Sequence, residues 1–284
     1  MKITAHTLIK NEARFIWYSV MSVIKYVDRV KIWDTGSTDN TIEIIEEIAK
    51  TPEAKGKKFF QIKKLNLEKF DEAQLRGRML KETTADWFIV LDGDEIWWED
   101  SIKRVVTAIR EYHDKYDCIV VPTVNVVGDM FHYQEKPAGR YHLAGRVGHY
   151  NLRAVNRKIP GLHAKGEHGV FGWADENGVM IENRDPKRIL FLDAPYLHTT
   201  HLRRAGVAKD EQNVLKRKKK KKFEIGIPFS KDYYYPEVFF RPRPEIVPSV
   251  WEVPSLSYKV RAFFETPLRK IHRRSFLKYQ KHGY

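Results

Sequence analysis

The stretch DWFIVLDGDEIWWED, residues 86–100, places acidic side chains directly after an apolar run. Phe88 to Leu91 are four consecutive apolar residues, a pattern typical of a strand buried on both faces of a parallel sheet. Asp92 and Asp94 follow, with Gly93 between them. The pattern therefore predicts a buried strand whose exposed tip carries two carboxylates.

A second strand end of the same form lies upstream, in VKIWDTGSTDNT, residues 30–41. It ends with Asp34 and turns through Gly36, and Thr38 or Asp39 can cap the helix that follows. Ligands of open parallel sheets bind outside the carboxyl ends of the strands, so we expect both acidic tips at one edge. Carboxylates placed there suit Mg²⁺ or Mn²⁺ bridged to substrate phosphates. The two tips predict a site for a nucleotide and a divalent cation.

The fold class follows from the alternation of short β-rich runs with helical patterns up to about residue 122. Such alternation is typical of βαβ units, so we expect an α/β fold with a mostly parallel central sheet flanked by helices. Residues 126–205 are richer in Gly, His and aromatic residues. Residues 206–284 contain a lysine run at 216–222, proline-punctuated segments and a basic helical pattern near the C-terminus.

Composition limits the classes of function. Lys and Arg number 51 against 37 Asp and Glu, a formal charge of +14, which favours a polyanionic partner such as nucleic acid, an anionic membrane surface or a phosphorylated small molecule. The single cysteine, Cys118, excludes an internal disulfide. No run of about 18 apolar residues and no signal-peptide core is present, so we expect a cytoplasmic protein.

Four motifs then coincide in order and spacing: LIKNE at 8–12, DTGSTDNT at 34–41, AQLRGR at 73–78 and VLDGDE at 90–95. Together they resemble family 2 glycosyltransferases with the GT-A fold, most closely bacterial enzymes that elongate surface polysaccharides or lipopolysaccharide cores. The resemblance is good over residues 1–125 and scattered up to 205. It implies a catalytic domain at 1–205, with a nucleotide-sugar half at 1–125 and an acceptor half at 126–205. The remaining residues, 206–284, would form a basic helical extension.

The resemblance also assigns the nucleotide contacts. Leu8 and Glu12 would line the base and ribose, and Asp34 would hydrogen-bond the base. Many family members carry a second Asp directly after the position of Asp34, where this chain has Thr35. That departure leaves the identity of the base open.

The diphosphate and metal contacts are implied in the same way. Arg76 would lie near the phosphates, Asp92 would face the ribose or donor sugar, and Asp94 would bind Mn²⁺ or Mg²⁺. In YLHTTHLRR, residues 196–204, His198 matches a histidine that GT-A enzymes often supply to the metal. Arg203 behind it would clamp the diphosphate.

An inverting transfer is a single displacement and needs a base for the acceptor hydroxyl. The family places this carboxylate in a Gly- and His-rich segment, here IPGLHAKGEHGVFGWADENG at 159–178. Glu167, between Gly166 and His168, is our candidate, and Asp175 and Glu176 are the alternatives.

The expected partners are a nucleotide-diphosphate sugar donor and a glycan or lipid-linked acceptor. Residues 258–281 interleave apolar and basic side chains, as in segments that lie at an anionic membrane surface, so we expect peripheral binding to the inner face of the cell membrane. Two rival classes stay open, a nucleotidyltransferase-like enzyme and a non-catalytic nucleic-acid or polyanion-binding protein. Nucleic acid is not expected, because paired carboxylates at strand ends repel a phosphate backbone.

Overall fold

The computed structural model describes residues 1–56, 61–65, 71–167, 171–206, 209–213 and 222–275. Its helices are α1 Ile16–Val23, α2 Thr41–Lys50, α3 Pro52–Lys55, α4 Glu72–Lys81, α5 Glu99–Tyr112 and α6 Leu256–Ser275. Its strands are β1 Ile3–Ile9, β2 Arg29–Asp34, β3 Gln61–Lys64, β4 Trp87–Val90, β5 Glu95–Trp97, β6 Cys118–Asn125, β7 His132–Tyr133, β8 Tyr141–Leu143, β9 Arg146–Gly148, β10 Tyr150–Asn156, β11 His163–Lys165, β12 Gly172–Ala174, β13 Ile189–Phe191, β14 Tyr196–His198 and β15 Ile227–Pro228.

The central sheet has the order β3-β2-β1-β4-β10-β6-β14-β5, with β13 also paired to β6. The strands β3, β2, β1 and β4 run parallel to one another. Antiparallel pairs occur where β10 joins β4 and β6 and where β5 joins β14. The predicted α/β fold with a mostly parallel sheet and flanking helices is confirmed.

Strand β4 explains why the chain has an uninterrupted apolar run there. Trp87, Ile89 and Leu91 belong to the larger hydrophobic cluster, on the side of α1, α2 and α5. Phe88 and Val90 belong to a second cluster, which also contains residues of β10 and β12. Successive side chains of a strand point to opposite faces, so a strand covered on both faces needs apolar residues at every position.

The C-terminal segment packs on the same body. Val238, Phe239, Val247 and Val250 belong to the larger hydrophobic cluster. Helix α6 is present as predicted, and it continues past Pro267 without a break. The domain boundary at residue 205 stays a prediction. Of the lysine run at 216–222, only Lys222 lies within the described residues.

Candidate active site

The two acidic tips meet at the carboxyl edge of the parallel strands. Strand β1 lies between β2 and β4, with Ile9 opposite Asp34 and His6 opposite Val90. The chain after β4 continues along β1, because the Leu91 amide donates to the His6 carbonyl at 3.0 Å. Asp34 and the Asp92–Asp94 segment therefore flank the end of one strand, as their positions in the sequence predict.

Gly93 allows the LIKNE segment to approach the acidic tip closely. A Cβ atom at Gly93 would lie 2.9 Å from Cγ of Glu12 and 3.0 Å from Cγ2 of Ile9. The first distance is shorter than real Cβ contacts and the second is tighter than most of them, so any larger residue would push Glu12 away. The glycine between the two aspartates is thus required by the packing of Glu12.

Asp92 lies between two arginines. Nη2 of Arg76 is 2.8 Å from its Oδ1, and Nη2 of Arg153 is 3.6 Å from its Oδ2. Burial opposes ionisation of Asp92, but the two guanidinium groups outweigh it and hold the pKa of this carboxyl below its ordinary value. Asp92 is therefore a carboxylate at neutral pH.

Asp94 is almost fully buried, and one of its carboxylate oxygens contacts the guanidinium group of an arginine. Nη1 of Arg204 lies 3.1 Å from Oδ2 of Asp94 and 2.6 Å from Oε1 of Glu12. Burial lowers the pKa of Arg204, but the surrounding carboxylates, Glu12 first, outweigh this effect and raise it above its ordinary value. Arg204 therefore stays charged and balances both acids.

His198 faces the other oxygen of Asp94. It ends β14, which pairs antiparallel with β5 so that His198 lies opposite Glu95. Its Nε2 is 3.6 Å from Oδ1 of Asp94, and its Nδ1 is 3.1 Å from Oδ1 of Asn125. Asp94 and His198 thus present one oxygen and one nitrogen toward the same space.

This pair fits a divalent cation that is shared with a substrate. Among the described residues, no group of three or more His, Cys, Asp or Glu side chains could enclose a metal ion. Mg²⁺ and related ions commonly use one or two protein ligands and take the others from substrate phosphates and water. Two ligands, each about 2.1 Å from one ion, lie about 3–4 Å apart, which matches the spacing of Asp94 and His198.

Asp34 has a local structural role in addition to its predicted one. Its Oδ2 accepts hydrogen bonds from the amides of Gly36 and Ser37, both at 3.0 Å, and the Ser37 hydroxyl donates to its Oδ1. The carboxylate therefore shapes the turn that follows β2. Leu8, on the neighbouring strand β1, is half-buried. Contacts of Asp34 and Leu8 with a nucleotide stay predictions.

The two adjacent arginines of the HLRR segment have different surroundings. Arg203 points to Glu252, with Nη2 and Oε2 3.4 Å apart, and its side chain is one-third exposed. Arg204 is the one that contacts Asp94 and Glu12. The structure thus brings Arg204 into the acidic cluster, whereas a phosphate contact of Arg203 stays a prediction.

Glu167 is exposed and follows β11. Strand β11 contacts helix α4, which carries Arg76. At the far end of the same connection, the ring of Phe171 lies 5.9 Å below the guanidinium of Arg76. Strand β11, before this connection, and Phe171, after it, therefore both lie beside α4. The role of Glu167 as the base stays a prediction.

The alternative carboxylate, Asp175, is held by its own turn. Its Oδ1 accepts from the amides of Asn177 and Val179, each at 3.0 Å, and its Oδ2 pairs with Arg184. These contacts, together with burial that opposes them, leave the pKa of Asp175 below its ordinary value. Asp175 therefore has a structural role in the turn after β12.

Comparison with known proteins places the sequence in a family. The sequence matches the profile of glycosyl transferase family 2 over residues 5–171. The chain belongs to glycosyl transferase family 2. The match covers all four motifs and Glu167, so the resemblance seen in the motifs is confirmed.

Solved structures of several glycosyltransferases are similar to this family 2 chain. The S. aureus TarS 1–349 complex with UDP-GlcNAc is 17% identical, with 70% of this chain and 58% of that chain covered and a TM-score of 0.45. M. tuberculosis glucosyl-3-phosphoglycerate synthase with Mn²⁺ and UDP-glucose is 15% identical, with 69% and 71% covered and a TM-score of 0.44. The chain spans about three-fifths of the TarS 1–349 chain, at 61%. No curated protein matches the sequence.

Several polar and charged residues of the site are not indicated by the sequence motifs. Arg153 lies in the middle of β10 and pairs with Glu95, which is fully buried in β5. Asn11 adopts a left-handed conformation, φ 53°, and its Oδ1 accepts from the Thr38 amide at 2.8 Å, which joins the first two motifs. The one available signal for Arg153 is a charged residue inside an otherwise strand-like pattern, because such a residue needs a buried partner.

The role of Gly93 gives a first prediction. Gly93→Ala should lower the free energy of unfolding by about 1–3 kcal/mol, the usual cost of overpacking, because the new methyl group collides with Glu12. Gly77→Ala is the matched control. Gly77 lies inside helix α4, and a Cβ atom there would meet the Cβ of Ala164 at an ordinary 3.9 Å. Alanine also favours a helix over glycine, so this substitution should leave the free energy of unfolding unchanged or raise it. Urea denaturation measures both, and equal effects of the two substitutions would contradict the close approach.

Glu95 gives a prediction on pH. Burial raises its pKa from an ordinary 4.5 to about 7, although Arg153 favours the ionised form. Between these two pH values, the folded protein therefore keeps a proton on Glu95 that the unfolded chain has released. The resulting stabilisation is complete below pH 4.5 and is lost as the pH rises through about 7.

Glu95→Gln should remove this dependence. Between pH 4.5 and about pH 7, the free energy of unfolding of the wild type should fall by about 3 kcal/mol relative to that of the variant. Denaturation curves at a series of pH values measure it. Glu176→Gln, at an exposed glutamate, should keep the wild-type profile, and a Glu95→Gln profile parallel to the wild type would contradict the assignment.

Proposed function

We propose that this chain is an inverting glycosyltransferase that moves a sugar from a nucleotide-diphosphate donor to a hydroxyl group of a glycan or lipid-linked acceptor. The observation that carries the proposal is the cluster at the carboxyl edge. There, Asp92 and Asp94 lie beside Glu12, His198 and Arg204 in a chain of family 2. Ligands of open α/β sheets bind outside the carboxyl ends of the strands, which is where this cluster lies.

The donor would lie along this edge. Asp34, Leu8 and Glu12 would contact the nucleoside, and Arg76 and Arg203 would attract the diphosphate. Asp92 would accept hydrogen bonds from hydroxyls of the ribose or donor sugar, because its arginine partners keep it ionised. The contact of Arg203 is inferred from its place behind His198, and the other contacts from the places of the residues in the four family motifs.

Asp94 and His198 would hold Mn²⁺ or Mg²⁺. When bound, the ion supplies positive charge that stabilises the departing nucleoside diphosphate. Arg204 provides fixed positive charge on the other oxygen of Asp94, 3.1 Å away. That contact orients the carboxylate and leaves Oδ1 to face His198.

Glu167 would act as the base. It would take the proton of the acceptor hydroxyl while that oxygen bonds to the anomeric carbon, and the bond to the diphosphate oxygen breaks on the opposite face. Its exposure suits contact with an incoming acceptor. The hydrogen bonds of Asp175 within its own turn make that residue the weaker candidate.

The acceptor side of the proposal rests on helix α6. Its inward face is polar or small, with Tyr258, Ala262, Thr266 and Arg273 toward the protein. Its outward face carries large apolar residues that are 52–77% exposed: Leu256, Val260, Phe263, Phe264, Leu268 and Ile271. Basic residues of the same helix, among them Lys259, Arg261 and Arg274, are exposed beside them.

A helix that packs through its polar face and exposes its apolar one suits an anionic membrane surface, where apolar side chains insert and lysines and arginines meet lipid headgroups. No helix among the described residues has the length and apolar character needed to cross a bilayer. The association would therefore be peripheral, and a lipid-linked acceptor would be within reach.

The metal site gives a testable outcome. Asp94→Ala should abolish the Mn²⁺-dependent part of UDP-sugar or GDP-sugar binding, because it removes the carboxylate that faces His198. Isothermal titration with and without Mn²⁺ measures this part. Asp100→Ala, at an exposed acid of helix α5, is the control and should bind as the wild type does. If nucleotide-sugar binding by Asp94→Ala depends on Mn²⁺ as it does in the wild type, the assignment of Asp94 as a metal ligand is wrong.

The base is tested separately. Glu167→Gln should keep donor affinity and lower turnover about 10²–10⁴-fold, the usual contribution of a general base. Asp175→Asn should keep turnover and lower thermal stability, because it weakens the pair with Arg184. The reverse pattern, with turnover lost only in Asp175→Asn, would move the base to Asp175.

The membrane surface is tested with liposomes of varied anionic lipid content. The double substitution Phe263→Ser, Phe264→Ser should weaken co-sedimentation without changing the fold, because both rings are about two-thirds exposed. Tyr112→Ser, at an exposed aromatic residue of helix α5, is the matched control and should sediment as the wild type does. Equal sedimentation of all three proteins would mean that α6 does not contact lipid.

A further inference from the structure

We propose that Asn125 and His149 are positioning residues that fix the tautomer of His198, so that its Nε2 presents a lone pair to a metal ion held with Asp94. The inference rests on the proposed metal role of His198 and adds the residues that prepare it. It is carried by a chain of hydrogen bonds whose directions can be assigned from one end to the other.

This series of hydrogen bonds, called the relay below, begins at a backbone carbonyl oxygen, which can only accept a hydrogen bond. Nε2 of His149 lies 3.0 Å from the carbonyl oxygen of Glu135, so this nitrogen carries a hydrogen and donates it. Burial lowers the pKa of His149 below its ordinary value, which favours the neutral ring. In a neutral imidazole with a protonated Nε2, Nδ1 is an acceptor.

The next group in the series is the side-chain amide of Asn125, whose orientation follows from the acceptor on His149. Its Nδ2 lies 2.9 Å from Nδ1 of His149 and donates to it. Its Oδ1 is thereby turned to the other side, where it lies 3.1 Å from Nδ1 of His198. The Asn125 oxygen can only accept, so Nδ1 of His198 carries a hydrogen.

The consequence appears at Asp94. With its hydrogen on Nδ1, a neutral His198 has a lone pair on Nε2, and this lone pair faces Oδ1 of Asp94 at 3.6 Å. Two acceptors that face each other at this distance repel unless a cation lies between them. Metal-bound histidines commonly donate their other N–H to an oxygen acceptor, which fixes the ring and its tautomer. Asn125 supplies that acceptor here.

Both ends of the relay are anchored. At the inner end, Asn125 is the last residue of β6 and His198 the last of β14, and the two lie opposite each other in register. At the outer end, the carboxylate of Glu135 lies 3.3 Å from Arg273 and 3.3 Å from Arg274 of helix α6. The ring of His149 is therefore held between Asn125 of a central strand and the backbone of Glu135, whose side chain is bound to the C-terminal helix.

The first test observes the tautomer directly, without metal. In protein labelled with ¹⁵N-histidine, the His198 signals are identified among the 11 histidines by their loss in His198→Ala. At pH 8 the wild type should show a protonated Nδ1 and an unprotonated Nε2. A protonated Nε2, alone or together with Nδ1, would overturn the proposal.

The second test measures affinity for Mn²⁺ in the presence of UDP, by electron paramagnetic resonance of the free ion. Asn125→Leu should lower the affinity about 10–100-fold, the usual effect of removing such a supporting contact, and should mix the tautomers of His198. Asn125→Asp restores an acceptor for Nδ1 and should recover most of the affinity. A wild-type affinity in Asn125→Leu would refute the positioning role.

Asn156→Leu is the matched control. Like the part-buried Asn125, the buried Asn156 donates through its side-chain amide, here to the carbonyls of His113 and Tyr116 at the opposite end of the sheet. Its loss should lower thermal stability without changing the His198 tautomer or Mn²⁺ affinity. If His198→Ala binds Mn²⁺ as the wild type does, the proposed metal role fails, while the ¹⁵N spectrum still decides the relay.

Discussion

Buried charge is the constraint on which the site depends. Glu12, Asp94 and Glu95 have almost no exposed surface, and an unpaired carboxylate in such surroundings would cost several kcal/mol. Arginines from other parts of the chain lie against these acids: Arg204 balances Glu12 and Asp94, and Arg153 pairs with Glu95, whose pKa burial still raises to about 7. Since Arg204 follows β14 and Arg153 lies in β10, these acids are balanced only when the later segments have packed against those that follow β1 and β4.

The same pairing prepares the edge for its proposed chemistry. Arg76 and Arg153 keep Asp92 ionised, and Arg204 occupies one oxygen of Asp94 so that the other faces His198. The cations that balance buried acids also create a positive environment for a diphosphate. A fixed charge arrangement of this kind needs little reorganisation when a charged ligand binds, which is the physical advantage of a preorganised site.

Helix α6 inverts the usual relation between burial and polarity. It is attached through Tyr258, Thr266 and Arg273, which bond to residues 222–225 and Glu135, while its large apolar side chains face outward. Exposed apolar patches on soluble domains commonly mark surfaces that bind something else. The attachment through Glu135 also joins this surface helix to the relay that ends at His198.

The sequence by itself determined the parts of the protein that depend on local order. The apolar run of β4, the alternation of strands and helices and the acids at the strand ends predict a parallel sheet with Asp34, Asp92 and Asp94 at one edge, because side-chain periodicity and strand direction are local properties. The spacing of the four motifs was enough to indicate the family.

Only the tertiary structure decided which charges meet. Arg203 and Arg204 are equivalent in the sequence, yet the fold turns one to Glu252 and the other to Asp94 and Glu12. Glu95 directly follows Asp94 in the sequence, but the fold places it in a strand beside Arg153. Asp175, one of the alternative carboxylates in the sequence, accepts hydrogen bonds from its own turn. Pairing among buried charges depends on the distance between segments far apart in the chain, and that distance is fixed only when the sheet and its connections have packed.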